Sequence, residues 1–486
     1  MRGNYRQAAL LGIFSLVILT GCGGGANQAN QQPQPTTANA FSKASLNGPY
    51  VFTANGVDIV GPFSLLGTLQ ADGNGGISTG RTFIQANSGS TGNFALTGSY
   101  TVQSDGHAII NLMSDAIGPV TLDLILLSPD HGLVMRFDNV STASGTLDKQ
   151  DPSAFDPAIQ PVVLCCSWIF NFRGTGTTGL PEAAVGSFTI ETGNSITGTV
   201  DENDMNLAVL NAPILPGPVG NFFHVFPGGT GSFAYSTSPG TIHAFTFVAI
   251  DANHLKFISD SGVEAGDLYR PAALFGSFAF TVSGPQGYAA GGVLNVDGAG
   301  NVLDSSVEDT NVAGSISLNS AASGTYSISP SGRIELQLND KRFSIFVAYP
   351  TTGGIQLVQM NGGVASGVGF LEAGATHSNA SLNGRYGANI SGSTGGGKFG
   401  EIAQLTADGN GNLTGTGSIN NAGTLTSGLK LDGTYLMSPN GRAVGTLATS
   451  TGTMNVVFYK AFGNQQVSFI GIDSDRVSQG VLVQQQ

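Results

Sequence analysis

Residues 46–52 read Leu46-Asn47-Gly48-Pro49-Tyr50-Val51-Phe52, and the same frame returns three more times. It recurs as LCCSWIF at 164–170, LFGSFAF at 274–280 and LNGRYGA at 382–388, so the leading leucines Leu46, Leu164, Leu274 and Leu382 lie 108 to 118 residues apart. Large apolar residues alternate with smaller ones, which is strand periodicity and places Tyr50, Trp168, Phe278 and Tyr386 on one face. Three further frames follow each leucine frame in constant order. The second is ADGNGGI at 71–77, ETGNSI at 191–196, VDGAGNV at 296–302 and ADGNGNL at 407–413. The third is GSYTVQSDG at 98–106, GSFAYSTSPG at 231–240, GTYSISPSG at 324–332 and GTYLMSPNG at 433–441. The fourth is SGTL at 144–147, AGDL at 265–268, SGVG at 366–369 and QGVL at 479–482. Four frames in one order, four times, mark an internal duplication. The repeats are placed at 45–151, 160–272, 273–375 and 378–486; the second is the most diverged and carries extra residues near 204–226.

Within the first repeat about eight short strand segments are separated by turns, with no helical segment between them. Such strands pair antiparallel with their neighbours, and a meander of this length exposes two edges unless it closes. The expected fold is therefore all-β: four tandem antiparallel eight-stranded meander barrels, with β-sandwiches as the alternative. The composition agrees, with 72 glycines in 486 residues, only 10% charged residues and a single tryptophan, Trp168.

At the N-terminus, Arg2 and Arg6 precede an apolar run from Ala8 to Leu19. This is too short to span a bilayer and has the shape of a signal-peptide core, residues 1–21. It ends in Leu19-Thr20-Gly21-Cys22, which resembles a bacterial lipobox. The resemblance implies that Cys22 is diacylated and becomes the first mature residue, a membrane anchor without a spanning helix. Gly23 rather than Asp after it implies release to the outer membrane. Residues 22–44 read as a flexible tether; the stretch 23–40 has almost no apolar side chains and no charge.

The net charge is −13, and −15 once Arg2 and Arg6 leave with the signal. Such a chain has no electrostatic footprint for nucleic acid. Cys165 and Cys166 are adjacent, and unstrained disulfides want Cα atoms about 4.4–6.8 Å apart, so two reduced, packed thiols are expected rather than a vicinal disulfide.

ADGNGGISTG at 71–80 lacks calcium-loop ligands: with Asp72 and Asn74 at positions 3 and 5, Gln70 and Arg81 fall at positions 1 and 12. Asp-Gly and Asn-Gly instead suit a hairpin corner. Gly76-Ile77-Ser78-Thr79-Gly80 spells a nucleophile elbow, but no helix follows it. His107, His131, His224, His243, His254 and His377 fall in no metal-binding spacing and read as turn or surface residues. The pairs Asp201–Glu202 and Glu308–Asp309 read as solvated loop charges. No catalytic residue, metal ligand or cofactor is assigned. The aromatic run 221–226 in the second repeat is read as an ordinary strand after a long loop, with a cover over a barrel mouth as the rival.

The chain resembles large bacterial multi-repeat lipoproteins with LNGxYxF…ADGxGN units. More loosely, its G-x-(Tyr/Trp), D-G-x-G-x-(Leu/Ile) and G-(Ser/Thr)-Tyr order is similar to avidin- and lipocalin-like meander barrels. Biotin binding is not implied, because that family uses several tryptophans and this chain has Trp168 alone. The expectation is an exported, lipid-anchored envelope repeat protein with a structural, adhesive or surface-interaction role and no catalysis. Its partners would be the membrane, through the anchor, and a surface glycan or protein. The alternative is capture of a small apolar molecule or glycan in or between the barrels, which requires a void of about 300 Å³ or more.

Overall fold

The computed structural model describes residues 40–486 apart from 87–88, 91–92, 116–117, 156–163, 206, 216–220, 240, 274, 285–286, 373–375, 462 and 464. Cys22, the signal segment, most of the tether and Leu274 lie outside the described residues. Residues Ala40–Gln486 form one compact unit. It is all-β, with short 3-10 turns and no α-helix among the described residues. Among the described residues no helix is long and apolar enough to cross a membrane.

The first and fourth repeats are closed antiparallel barrels of eight meandering strands. In the first, strand Asn47–Asp58 pairs with both Pro62–Asp72 and the last strand, Ser141–Lys149. In the fourth, Asn383–Thr394 pairs with Gly397–Asp408 and with Arg476–Gln484. The second and third repeats keep the meander and the first-to-last pairing, but each ring is disturbed at its middle hairpin. In the second, Phe222–Val225 pairs with Thr230–Ser238 and not with Leu207–Pro213. In the third, the middle strands are broken into Asn301–Val302 and Val307–Val312, and into Ser315–Ala321 and Gly324–Ile328.

The recurring frames explain themselves here. Tyr50, Trp168, Phe278 and Tyr386 all point into their barrels and are buried. The ADGNG stretch is a hairpin corner: Asp72 Oδ1 accepts from the backbone N–H of Asn74 (2.7 Å) and Gly76 (2.9 Å), with Gly73 and Gly75 at positive φ. Asp408 caps its own turn in the same way, and its carboxyl is pulled down to about 2, first by the Asn412 side-chain amide and then by backbone N–H groups. The third frame locks onto the first: Tyr100 donates to the Leu46 carbonyl (2.7 Å), and Tyr435 donates to that of Leu382 (2.6 Å). In the first and fourth repeats the second frame thus caps a turn and the third satisfies a buried carbonyl.

Four expectations need correction. The tether ends earlier than residue 44: Phe41 is buried in the first barrel's core and its N–H donates to Ser104 O (3.1 Å). Cys165 and Cys166 form a vicinal disulfide with Cα atoms 3.8 Å apart. They are not packed thiols, because they sit on an accessible turn where Cys166 adopts φ 73°. Asp201 and Glu202, and Glu308 and Asp309, lie on strands Ile196–Asp204 and Val307–Val312 rather than in loops, and Asp201, Glu308 and Asp309 are buried. Strand alternation sends one carboxylate of each pair inward and the other outward. His224 is exposed, as expected, but four other histidines are not free surface groups: His107, His131 and His254 each hydrogen-bond an aspartate, namely Asp123 (2.7 Å), Asp148 (2.5 Å) and Asp267 (2.7 Å), while His377 meets Glu372 at 3.0 Å. In the aromatic run, Phe223 is core, its ring 4.8 Å from that of Phe247, so Phe222–Val225 is the ordinary strand.

The four repeats close into a ring. Val51 and Leu66 of the first pack on Val248, Ile250 and Ile258 of the second. Ile169, Ala183 and Val185 of the second meet Val347, Tyr349 and Val358 of the third. Ala279, Ala289 and Val293 of the third meet Val457, Tyr459 and Ile470 of the fourth. Ile402 of the fourth meets Ile125, Leu127, Leu133 and Met135 of the first. Gln486 N–H then donates to Leu127 O (2.9 Å), so the chain's end lies on its first barrel.

Candidate functional site: the chamber where four repeats meet

The first strand of every repeat is divided by its pleat. Counting from the leading leucine, positions 4, 6 and 8 fill the barrel: Tyr50, Phe52 and Ala54; Trp168, Phe170 and Phe172; Phe278, Phe280 and Val282; Tyr386, Ala388 and Ile390. Position 5 faces the next repeat, as Val51, Ile169 and Ala279 do. Positions 7 and 9 are polar and point to the centre of the ring: Thr53 and Asn55, Asn171 and Arg173, Thr281 and Ser283, Asn389 and Ser391. Position 10 is glycine in all four repeats, at Gly56, Gly174, Gly284 and Gly392. A Cβ on any of them would lie 1.9 to 2.5 Å from a carbonyl oxygen of the repeat's last strand. The first and last strands therefore approach more closely here than a side chain permits.

Two adjoining cavities, of 320 Å³ and 440 Å³, occupy the centre. Residues of all four repeats line each, and Asn55, Ser144, Arg173, Ser391 and Gln479 line both. The walls of the first carry the hydroxyls of Ser64, Ser144, Ser283, Ser391 and Ser393 and two cations, Arg173 and Lys398. No Asp or Glu lines it among the described residues. Arg173 retains accessible surface although protein encloses it; the chamber reconciles the two, because that surface is the chamber wall. Its guanidinium donates to the backbone carbonyl of Ser283 (3.3 Å) and to the Ser283 hydroxyl. Burial lowers its pKa, and burial together with the Arg173 charge lowers that of Lys398. Two like charges held in one enclosed space raise each other's cost, and an anion placed between them relieves it. The second cavity is more balanced, since Asp267 there holds Lys256 at 3.1 Å.

The interior of the second barrel, by contrast, is filled with aromatic rings. In the second, Phe170, Phe172, Phe233, Phe245 and Phe257 pack across the interior with ring centroids 4.8 to 6.3 Å apart. Sequence reading placed capture in or between barrels, and the space lies between them. It did not single out Arg173, Lys398 or the tenth-position glycines. The glycines were a readable signal, because they repeat at a fixed offset from the leucines. Lys398 carried none, because a hairpin of the fourth repeat brings it to the centre.

No protein-family model matches the chain, and no curated protein does. Solved structures give faint likenesses. A transferrin-binding protein B from Haemophilus parasuis aligns at 9% identity over 94% of this chain and 98% of its own, with a TM-score of 0.20. The isotype 1 transferrin-binding protein B of serogroup B Neisseria meningitidis aligns at 10% identity over 84% and 86%, also at 0.20. At such scores the folds do not superpose as wholes, and neither ligand nor partner is inferred from them.

Proposed function

We propose that this is an exported, non-catalytic, lipid-anchored protein of the cell envelope, held by Cys22, whose ring of four barrels captures a small anionic molecule in its central chamber. The observation that carries the reading is the pairing of Arg173 with Lys398 on one cavity wall free of carboxylates, in a protein of net charge −13. A cavity of 320 Å³ sits at the lower end of the range that holds small ligands. The ligand class is an organic acid or phosphate ester small enough to bridge the two cations, with the serine hydroxyls around them as further donors.

The test is a thermal-shift screen of small carboxylates, phosphate esters and neutral sugars against the unaltered protein and the Arg173→Gln/Lys398→Gln double variant. Stabilisation by anions that disappears in the double variant supports the reading. Stabilisation by neutral sugars alone, or equal stabilisation of both proteins, overturns it. Cys22→Ala tests the anchor separately by moving the protein from the membrane fraction to the soluble fraction.

A structural or adhesive role on the outer surface is the second reading, and one observation favours it. Leu207 and Leu210 of the second repeat and Ile316 and Leu318 of the third are exposed on corresponding strands, and exposed apolar side chains of this kind serve contacts.

A further inference from the structure

The inward face of the second barrel ends in a group of carboxyls that the other barrels lack. Strand register sets Gly174 opposite both Glu182 and Glu264, and Ala184 opposite Glu202. At the position of Glu182 the other barrels carry an aromatic ring: Phe63 opposite Gly56, Tyr288 opposite Gly284, and Phe399 opposite Gly392. The second barrel thus replaces its apolar plug with a carboxyl group. No lysine or arginine pairs with Glu182, Glu202 or Glu264 among the described residues. The third barrel shows the contrast, since its buried Glu308 has Arg342 at 3.3 Å.

A histidine does reach the group. His243 Nδ1 lies 3.8 Å from Glu182 Oε1, and Nε2 lies 3.8 Å from Glu202 Oε2. One atom from each of the three residues can be chosen so that all lie within 4.8 Å of one another. A separate observation points to a missing ligand. The Tyr235 hydroxyl is fully buried with no hydrogen-bond partner, and its ring stacks on His243 at 4.9 Å. Glu264, 4% exposed, likewise leaves Oε2 without a partner. Buried polar atoms are nearly always satisfied, so several orphans around one point call for an absent group.

We propose that the mouth of the second barrel is a divalent-metal site, with Glu182, Glu202 and His243 as ligands and Glu264 and Tyr235 as their near neighbours. Three carboxylates beside one imidazole suit a first-row divalent ion, Mn²⁺ or Zn²⁺. Ligand atoms around a tetrahedral metal at about 2.1 Å stand about 3.4 Å apart; whichever ring nitrogen binds, its 3.8 Å contact with one carboxylate is near that spacing, and the other carboxylate turns to reach the ion. One imidazole nitrogen takes the metal, and the other keeps its N–H for a neighbouring carboxylate oxygen, which fixes the ring. The His243 and Glu202 side chains each keep 18% of their surface accessible, which leaves an entry path. The site stands apart from the chamber reading, because it lies inside one barrel and its chemistry is anionic.

The experiment uses the full chain, stripped with chelator and titrated with MnCl₂ or ZnCl₂. Bound metal per chain is measured after gel filtration and the melting temperature is followed in parallel. One ion per chain and a higher melting temperature are expected, with affinity falling at least about tenfold in Glu182→Gln and in His243→Gln. Should either variant fail to fold, Glu202→Gln serves in its place, and the titration of the unaltered protein stands alone. The proposal is overturned if the unaltered protein retains no ion, or if every folded variant binds as the unaltered protein does.

Discussion

Arg442 of the fourth repeat grips Asp309 of the third through two parallel hydrogen bonds, Nε to Oδ2 at 2.7 Å and Nη2 to Oδ1 at 2.6 Å. Arg333 of the third repeat holds Asp201 of the second in the same way, at 2.8 and 2.6 Å. Each aspartate sits at an irregularity in its strand pairing and also accepts a backbone N–H at 2.8 Å, from Asn319 and Asn211 respectively. The bulge aims the carboxylate outward at the neighbouring barrel. The contact from the fourth repeat to the first lacks this device, because Ser418 stands at the matching irregularity.

Breaking one side of the pair leaves a buried charge. Arg442→Met is expected to lower stability by about 3–5 kcal/mol, whereas Asp309→Leu together with Arg442→Met recovers most of the loss. Urea denaturation of the two variants checks this, and equal losses in both would refute it.

Asn420 is the latch of the interface that lacks the ion pair. Its Nδ2 donates to the carbonyls of Arg136 (3.0 Å), Asp138 (3.1 Å) and Ser141 (2.7 Å) of the first repeat. Asn311 does the same to Gly471, Asp473 and Arg476 at 2.9 to 3.0 Å. Asn420→Ala strips a buried loop of its donor and is expected to cost about 2–3 kcal/mol. Faster hydrogen exchange confined to residues 136–141 and their partners would accompany it. Unchanged exchange there would show that the latch carries no energy.

Gly174→Ala and Gly284→Ala each drive a Cβ to within 2.0 Å of a carbonyl oxygen across the strand pair. The expected cost is about 1–3 kcal/mol each, through separation of the first and last strands. Gly395, with nothing within 4 Å of its would-be Cβ, is the control, and Gly395→Ala should change the melting temperature little. Similar shifts at all three positions would remove the close-approach argument.

The carboxyls of the second barrel make a signed pH prediction for metal-free protein. Burial first, then the charges of Glu202, Glu264 and Asp204, raises Glu182 to about 9; burial first, then the Asp204 charge, raises Glu202 to about 7; burial first also raises Glu264 to about 7. Between about 4.5 and 9 the folded state therefore holds more protons than the unfolded one, so stability falls as pH rises through that window. His243, lowered by burial, opposes the trend only near its ordinary pKa. Urea midpoints measured in chelator across this range should decline and flatten in Glu182→Gln. A midpoint that rises with pH, or a slope the variant keeps, would contradict the assignment.

The barrel frames were legible in the chain because each performs a local task. Alternation set Tyr50 and Trp168 inward, and Asp-Gly and Asn-Gly set the corners. The latches repeat as well, in Asn311-Val312-Ala313-Gly314 and Asn420-Asn421-Ala422-Gly423, where Ala313 and Ala422 take φ near 50° in tight turns. They were readable as a repeat and unreadable as a contact, because nothing local tells which barrel a hairpin tip will touch. Asp201 and Asp309 looked like loop charges for the same reason, since a buried aspartate is recognised only once its arginine is found 132 or 133 residues away.

The sequence by itself determined four glycine-cornered, aromatic-filled meanders, since turn chemistry and two-residue periodicity are properties of neighbouring residues. Only the tertiary structure decided that the four close into a ring, that Arg173 and Lys398 share one chamber, and that Glu182, Glu202 and His243 converge. These depend on distances between residues far apart in the chain, and such distances are set by packing rather than by spacing.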